Sequence, residues 1–227
     1  MIGLRLERPW LIADLAAPMR CLSWAPYGAG YRMADQVIWR EVRNADLVPG
    51  FDAEGWFAEE MARFPGAVGM MTSRDIATYA MARAESGEGA GRVRAQCVAT
   101  VGLTNGEAVG RRRVFGTKDF GTINVLVATD AALSETAQLE ALSIAVQART
   151  AAVIEAGHDV PTGRVTGTGT DCLVLACLPG EGRYAGLHTP VGEAIGAAVK
   201  SAVAAGARDW QAWYAGKLAE AAAKRAR

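Results

Sequence analysis

An excess of charge of either sign is missing: Lys plus Arg number 24, Asp plus Glu number 24, and the formal net charge is zero. Nucleic-acid-binding domains usually carry a basic surplus, so no nucleic-acid partner is expected. Histidine is scarce, at two residues, and the four cysteines (Cys21, Cys97, Cys172, Cys177) form no CxxC pair. A protein metal site is therefore not expected. Long hydrophobic runs are also missing. No stretch reaches the roughly 20 apolar residues of a membrane span, and the run from Val165 to Leu178 is shorter and holds Asp171. In the opening MIGLRLERPWLIADLAAPMR, Arg5, Glu7 and Arg8 interrupt any apolar signal core. The reading is a cytoplasmic protein with reduced thiols, most of them small core residues. No G-x-S-x-G, H-E-x-x-H or Walker A string is present. The segment 167–172 (GTGTDC) fails the dinucleotide fingerprint, because Cys172 stands in the third glycine position and a strand follows.

What is present is a chain of 227 residues, 51% hydrophobic and 21% charged, enough for one well-packed domain over residues 1–227. Short strands are predicted at Trp10 to Leu15, Met19 to Trp24 and Gln36 to Val42, with Tyr27 to Gly30 as a turn or binding loop. Asp52 is placed as N-cap of a helix to Arg63, ended by Phe64, Pro65 and Gly66. Glycine-rich 85–92 reads as a loop rather than a domain linker. Apolar residues alternate from Val93 to Val101, the pattern of a half-buried antiparallel strand. Further strands are expected at Ile123 to Ala128 and Cys172 to Leu178.

The triplet Arg111, Arg112 and Arg113 reads as a solvated loop rather than an anion site. A long helix is predicted over Ser134 to Ala156, with Leu139, Leu142, Ile144, Val146, Val153 and Ile154 apolar and Gly157 as its stop. A last helix starts with Thr189 as N-cap, Pro190 at its first position and Glu193 in its first turn, with a break near Gly206 to Asp209 and a solvated basic end from Lys217. Its Ile195, Val199 and Val203, with Trp210 and Trp213 beyond, suit either packing on the sheet or a homodimer contact. The class is α+β: a mainly antiparallel sheet packed against long helices in a single compact domain.

Four places can carry chemistry. Thr166, Thr168 and Thr170 alternate with Gly167 and Gly169 and end at Asp171, which suits a polar pocket with close backbone approach or a tight turn with a bonded Asp171. His188 precedes a helix N-terminus and is either a general base or a residue that bonds the helix end. His158 reads as exposed and structural or idle. Thr104 with Asn105, and Thr122 with Asn124, lie at strand ends where a carboxamide can bond a ligand or an oxyanion; Asn105-Gly106 also suits a plain turn. Ser23 is a nucleophile or a strand residue with a satisfied hydroxyl, the latter favoured, and Cys97 belongs to the core.

Taken in order, TVGLTNG at 100–106, GTINV at 121–125, TGTGTD at 166–171 and YAGLHT at 184–189 followed by Gly192 and Glu193 resemble the adenosylcobinamide amidohydrolase family of corrinoid salvage. LSWAP at 22–26, MTS at 71–73 and ARTAA at 148–152 extend the resemblance over roughly Cys21 to Val199. The sequence departs from the pattern at Gly106 and Val165, where alanine is usual, and at Arg149, where lysine is common. The resemblance implies hydrolysis of the amide between a corrin propionyl side chain and aminopropanol, giving adenosylcobyric acid. Complete adenosylated cobamides are a second substrate class. The partner is then an adenosylated corrinoid; its cobalt belongs to the substrate, and the protein needs no cofactor of its own. On this reading His188 activates water or a threonine hydroxyl and Asp171 orients it. Thr168 and Thr170 are catalytic or bond the corrin amides. Asn105, Thr104, Thr122, Asn124, Gly167, Gly169 and Ser23 line the substrate site.

Overall fold

The computed structural model describes residues 2–43, 50–111 and 121–225. Arg112 and Arg113 of the basic triplet lie outside them, as does the final Arg227. Strands β1 (Gly3–Glu7), β2 (Trp10–Ser23) and β3 (Gly30–Glu41) lead to helix α1 (Ala53–Met61) and β4 (Val68–Thr72). Then come β5 (Ala80–Ser86), β6 (Val93–Val101), the short β7 (Gly106–Glu107), β8 (Ile123–Leu133) and helix α2 (Glu135–Ala156). The two-residue strands β9 (Asp159–Val160), β10 (Gly163–Arg164) and β11 (Gly167–Thr168) precede β12 (Cys172–Pro179) and helix α3 (Pro190–Arg225).

One sheet runs in the order β4-β3-β2-β12-β8-β6-β5, with β1 added on β2. Its pairings are antiparallel except β12 with β8 and β3 with β4. Three clusters show how it folds. One face of β6, β8 and β12 packs on α2 and α3 through Ala99, Val125, Leu175, Ile144 and Val199. The other face (Val98, Leu126, Val174) meets Leu11, Val37, Trp39 and Met70 from β2, β3 and β4. The outer face of β2 and β3 (Trp10, Ile12, Ile38) is covered by Phe57 and Met61 of α1. The sheet thus doubles over into four layers, helices outside and two half-sheets within. This realises the α+β expectation of a mainly antiparallel sheet on long helices.

The doubling corrects several local expectations. The two short strands at 10–15 and 19–24 are one strand, β2, with a register shift against β3 between Asp14 and Met19. Pro18, which cannot donate to a ladder, sits in that irregular stretch. β6 is buried on both faces, because the second half-sheet covers the side expected to meet water. Its Gln96 is satisfied there by Ile2, accepting from the Ile2 N–H at 3.0 Å and donating to the Ile2 carbonyl at 3.3 Å.

In α2 the Ser134 hydroxyl caps the Ala137 N–H at 3.2 Å, and Gly157 ends the helix at φ +80°, a left-handed conformation glycine adopts freely. Its buried stripe is chiefly alanine (137, 141, 145, 148, 152), whereas Leu139 and Ile154 are exposed. Small side chains let α2 and α3 approach closely. α3 does not break near Gly206. A Cβ there would lie 2.7 Å from a Val101 methyl, so the glycine lets an unbroken helix lie against β6. Ile195, Val199, Val203 and Trp210 are buried within the chain, which takes the first of their two alternatives, packing on the sheet. No helix among the described residues is long and apolar enough to cross a membrane.

Candidate active site

Strand register brings the chemistry-bearing loops to one end of the sheet. Cys172 pairs with Asn124 at the start of β12 and β8, and Val101 at the end of β6 pairs with Ile123. The 102–105 turn, Gly121-Thr122 and Gly169 to Asp171 therefore cluster. β11 pairs with β7, setting Gly167 opposite Glu107 and Thr168 opposite Gly106. The two small departures from the family pattern meet here: a Cβ on Gly106 would stand 2.8 Å from a Val165 methyl. Loss of a methyl at 106 makes room for the larger side chain at 165.

Asp171 is the electrostatic centre of the cluster. Its carboxylate accepts from the Thr168 N–H at 3.1 Å, the Ile123 N–H at 3.2 Å and the Thr168 hydroxyl, and pairs with the Arg149 guanidinium from α2. Burial works against the charge on Arg149, and Asp171 supplies the compensating charge. Gly167 leaves room for this pair, because a Cβ would stand 2.7 Å from the Asp171 carboxylate and closer still to Arg149, and one of the two would have to move. Thr170 donates to the Gly121 carbonyl (3.0 Å), and Thr122 donates to the Thr170 carbonyl (2.8 Å), lacing the two loops together.

Three cavities adjoin along this end. The first, about 560 Å³, is lined among others by Trp24, Ser73, Asn105, Thr170 and Asp171. The second, about 480 Å³, is lined by Arg74, Thr104, Asp209, Trp210 and Trp213 and shares Ser73 and Gly121 with the first. The third, about 540 Å³, is lined by Arg149, Gly167 and Thr168 and shares Trp24, Gly169 and Asp171 with the first. The Trp24 indole is held by its N–H to the Asp171 carbonyl (2.6 Å) yet stays 44% exposed. In the second cavity, buried Arg74 pairs with Asp209 at 2.6 Å and lies 5.1 Å from the Trp213 ring centre. Burial lowers its pKa and Asp209 opposes that. Cys172 also lines the first cavity, but burial pushes its thiol up to about 11, so at neutral pH it is no thiolate nucleophile. Among the described residues no group of three His, Cys, Asp or Glu side chains is placed to hold a metal ion.

The structure thus gathers Asp171, Thr168, Thr170, Gly167, Gly169, Thr104, Asn105 and Thr122. Two other residues of the set lie just beneath. Asn124 is fully buried, donates to the Met71 carbonyl at 2.6 Å and ties β8 to β4. Ser23 is buried, and its hydroxyl accepts from the Ala25 N–H at 2.9 Å. Neither lines the cavities.

His188 is not brought to Asp171. The start of α3 lies at the opposite end of the sheet, where Ser86 at the end of β5 donates to Glu193 at 2.5 Å. The length of β12, roughly 23 Å at about 3.3 Å per residue, separates the two ends. The helix N-terminus there is capped by the Thr189 hydroxyl, which accepts from Gly192 at 3.0 Å, and His188 is exposed. His188→Ala is accordingly expected to leave turnover within about twofold and stability within about 0.5 kcal/mol, as an exposed residue away from special contacts does; steady-state rates and a melting curve check it. His158 is half-buried rather than exposed, packed edge-on against Trp210 at 4.9 Å. Sequence reasoning passed over Trp24, Ser73, Arg74 and Arg149 as site residues. The LSWAP, MTS and ARTAA strings pointed near them but assigned them no role, because their place depends on the doubling of the sheet.

Comparison with known proteins places the ordered motifs within one family match. The profile of a family described as adenosylcobinamide amidohydrolase matches residues 2–215. An adenosylcobinamide amidohydrolase of Halobacterium salinarum is 37% identical over 87 residues, 37% of this chain and 35% of that one. An uncharacterized protein of Methanocaldococcus jannaschii is 37% identical over 90 residues, 38% of this chain and 35% of that one. The match thus spans about a third of the length of these curated relatives. Among solved structures, the PH0078 protein of Pyrococcus horikoshii superposes with a TM-score of 0.47 at 9% identity, covering 87% of this chain and 76% of that one. The L-aminopeptidase D-Ala-esterase/amidase of Ochrobactrum anthropi gives 0.43 at 12% identity, covering 90% and 82%. On the family match, which runs over nearly the whole sequence, this chain belongs to the adenosylcobinamide amidohydrolase family.

Proposed function

We propose that the protein hydrolyses the amide joining a corrin propionyl side chain to aminopropanol in adenosylcobinamide, releasing adenosylcobyric acid, and that it does so in the cytoplasm. Complete adenosylated cobamides are a second substrate class, which would serve exchange of the lower ligand. The observation that carries the reading, beside family membership, is a hydroxyl bonded to a carboxylate on the wall of adjoining cavities. Three cavities of roughly 500 Å³ each suit a macrocycle with appended groups better than a small metabolite. The fixed, half-exposed Trp24 indole, common to two of them, suits a flat apolar ring.

Thr168 and Asp171 then form the reacting pair. The Thr168 hydroxyl donates into the Asp171 carboxylate, the arrangement in which a hydroxyl loses its proton as it attacks. In this scheme the Thr168 oxygen bonds to the amide carbon, and Asp171 takes the proton and passes it to the departing amine nitrogen as the C–N bond breaks. Water cleaves the resulting ester through the same pair, so the net change is amide plus water to acid plus amine. The test is product analysis by mass after incubation with adenosylcobinamide and with complete adenosylated cobamides. Adenosylcobyric acid is the expected product, and Thr168→Ser is expected to retain far more activity than Thr168→Ala. Intact corrinoids, or equal rates in the two variants, would refute the reaction or the nucleophile respectively.

A further inference from the structure

The turn at 102–105 holds three polar groups without partners, beside the meeting point of two cavities. Among the described residues neither the Thr104 N–H nor the Asn105 N–H reaches an acceptor. The Asn105 side chain is 7% exposed, and its Oδ1 meets no donor. Buried polar atoms are nearly always paired, so the buried Asn105 oxygen beside two N–H groups without acceptors points to a missing partner. Asn105 lines the first cavity, Thr104 the second, and Gly121 both. A Cβ on Gly121 would stand 3.0 Å from the Thr104 nitrogen and 2.9 Å from that of Asn105, so any side chain here would cover both N–H groups. The Asn105 backbone is itself held in place, its carbonyl accepting from the Gly169 N–H at 3.4 Å, which sets the turn against the threonine-glycine segment.

We propose that this turn is the seat of a carboxamide: the Thr104 and Asn105 N–H groups take the amide oxygen, and Asn105 Oδ1 takes the amide N–H. A secondary amide offers one strong acceptor and one donor, and the turn offers two donors and one acceptor. Paired N–H donors aimed at a carbonyl oxygen also favour the charge it gains on attack. The seat rests on the amide-hydrolysis reading for its substrate, the scissile amide of a corrinoid, and on the turn alone for its chemistry.

Two experiments separate those parts. In the first, the nitrogen-15-labelled protein is titrated with N-isopropylpropionamide and followed by amide NMR. Saturable shifts of the Thr104 and Asn105 backbone signals are expected. N,N-dimethylpropionamide, which lacks the N–H, should bind about tenfold more weakly through loss of one hydrogen bond. Signals that do not move, or equal binding of the two amides, would overturn the seat whatever the enzyme does with corrinoids. In the second, Gly121→Ala is expected to lower kcat on adenosylcobinamide by roughly 100-fold, the loss seen when oxyanion donors are blocked. Should that variant fail to fold, Asn105→Ala carries the test: its side-chain oxygen holds nothing in the protein, so the melting temperature should stay put while kcat/KM falls about tenfold. Full kcat/KM in Asn105→Ala would overturn the seat. NMR shifts in a parent that leaves corrinoids intact would support the seat and overturn the corrinoid reading.

Discussion

Asp171→Ala is expected to cost about 3–5 kcal/mol of stability, because it leaves the Arg149 guanidinium buried without its partner. The pair's side chains are only 14% and 10% exposed, so solvent screens little of the loss. Three further donors, the Thr168 and Ile123 N–H groups and the Thr168 hydroxyl, lose their acceptor in the same step. For a chain of this size about 1 kcal/mol moves the melting temperature by roughly 2–4 °C, so a fall on the order of 10 °C is the expected reading. The double variant Asp171→Leu with Arg149→Leu should recover much of that stability, since both buried charges are gone. It should recover no turnover, because the proposed proton acceptor is gone too. Thermal unfolding and rate measured on the same samples separate the two contributions. A double variant less stable than Asp171→Ala would mean that the pair is not what holds the loop.

The second large effect belongs to Trp210→Ala, at about 3–5 kcal/mol for removal of a buried tryptophan. Trp210 is 1% exposed and stacks on Tyr214 with ring centres 4.8 Å apart and planes 13° from parallel. It also meets His158 and forms one wall of the second cavity. Truncation would leave a void beside the His158 and Tyr214 rings, at a cost set by how far they can close on it. Substrate affinity should fall with the wall, so KM is expected to rise more than kcat drops. Trp210→Phe should recover part of the stability, and urea titration with steady-state kinetics reads both effects. A change in melting temperature of only a degree or two would show that the site relaxes around the gap.

Much of this architecture was legible beforehand. The period of β6, the cap of α1 at Asp52, the stop of α2 at Gly157 and the Thr189-Pro190 start of α3 are local signals, set by which residues satisfy helix ends and pleated faces. Strands β1, β4 and β5 were missed. β1 is short and exposed, β4 is a five-residue stretch with glycine at its second position, and β5 alternates alanine with methionine, arginine and glutamate, so none carries a strong pattern. Gly206 was misread as a helix break because glycine disfavours helices in isolation, whereas here the missing Cβ is what lets α3 touch Val101.

The site divides in the same way. The sequence by itself determined the ordered motifs, the threonine-glycine run ending at Asp171, and the absence of metal-ligand spacing. These depend on residue identity and near neighbours. The tertiary structure alone decided that Arg149 compensates Asp171, that Ser73 and Trp24 stand at the junctions of the cavities, and that His188 lies a full strand length away. Such pairings arise from strand register and from the doubling of the sheet. Both are settled by long-range burial of apolar faces, which leaves no mark on the spacing of the residues it brings together.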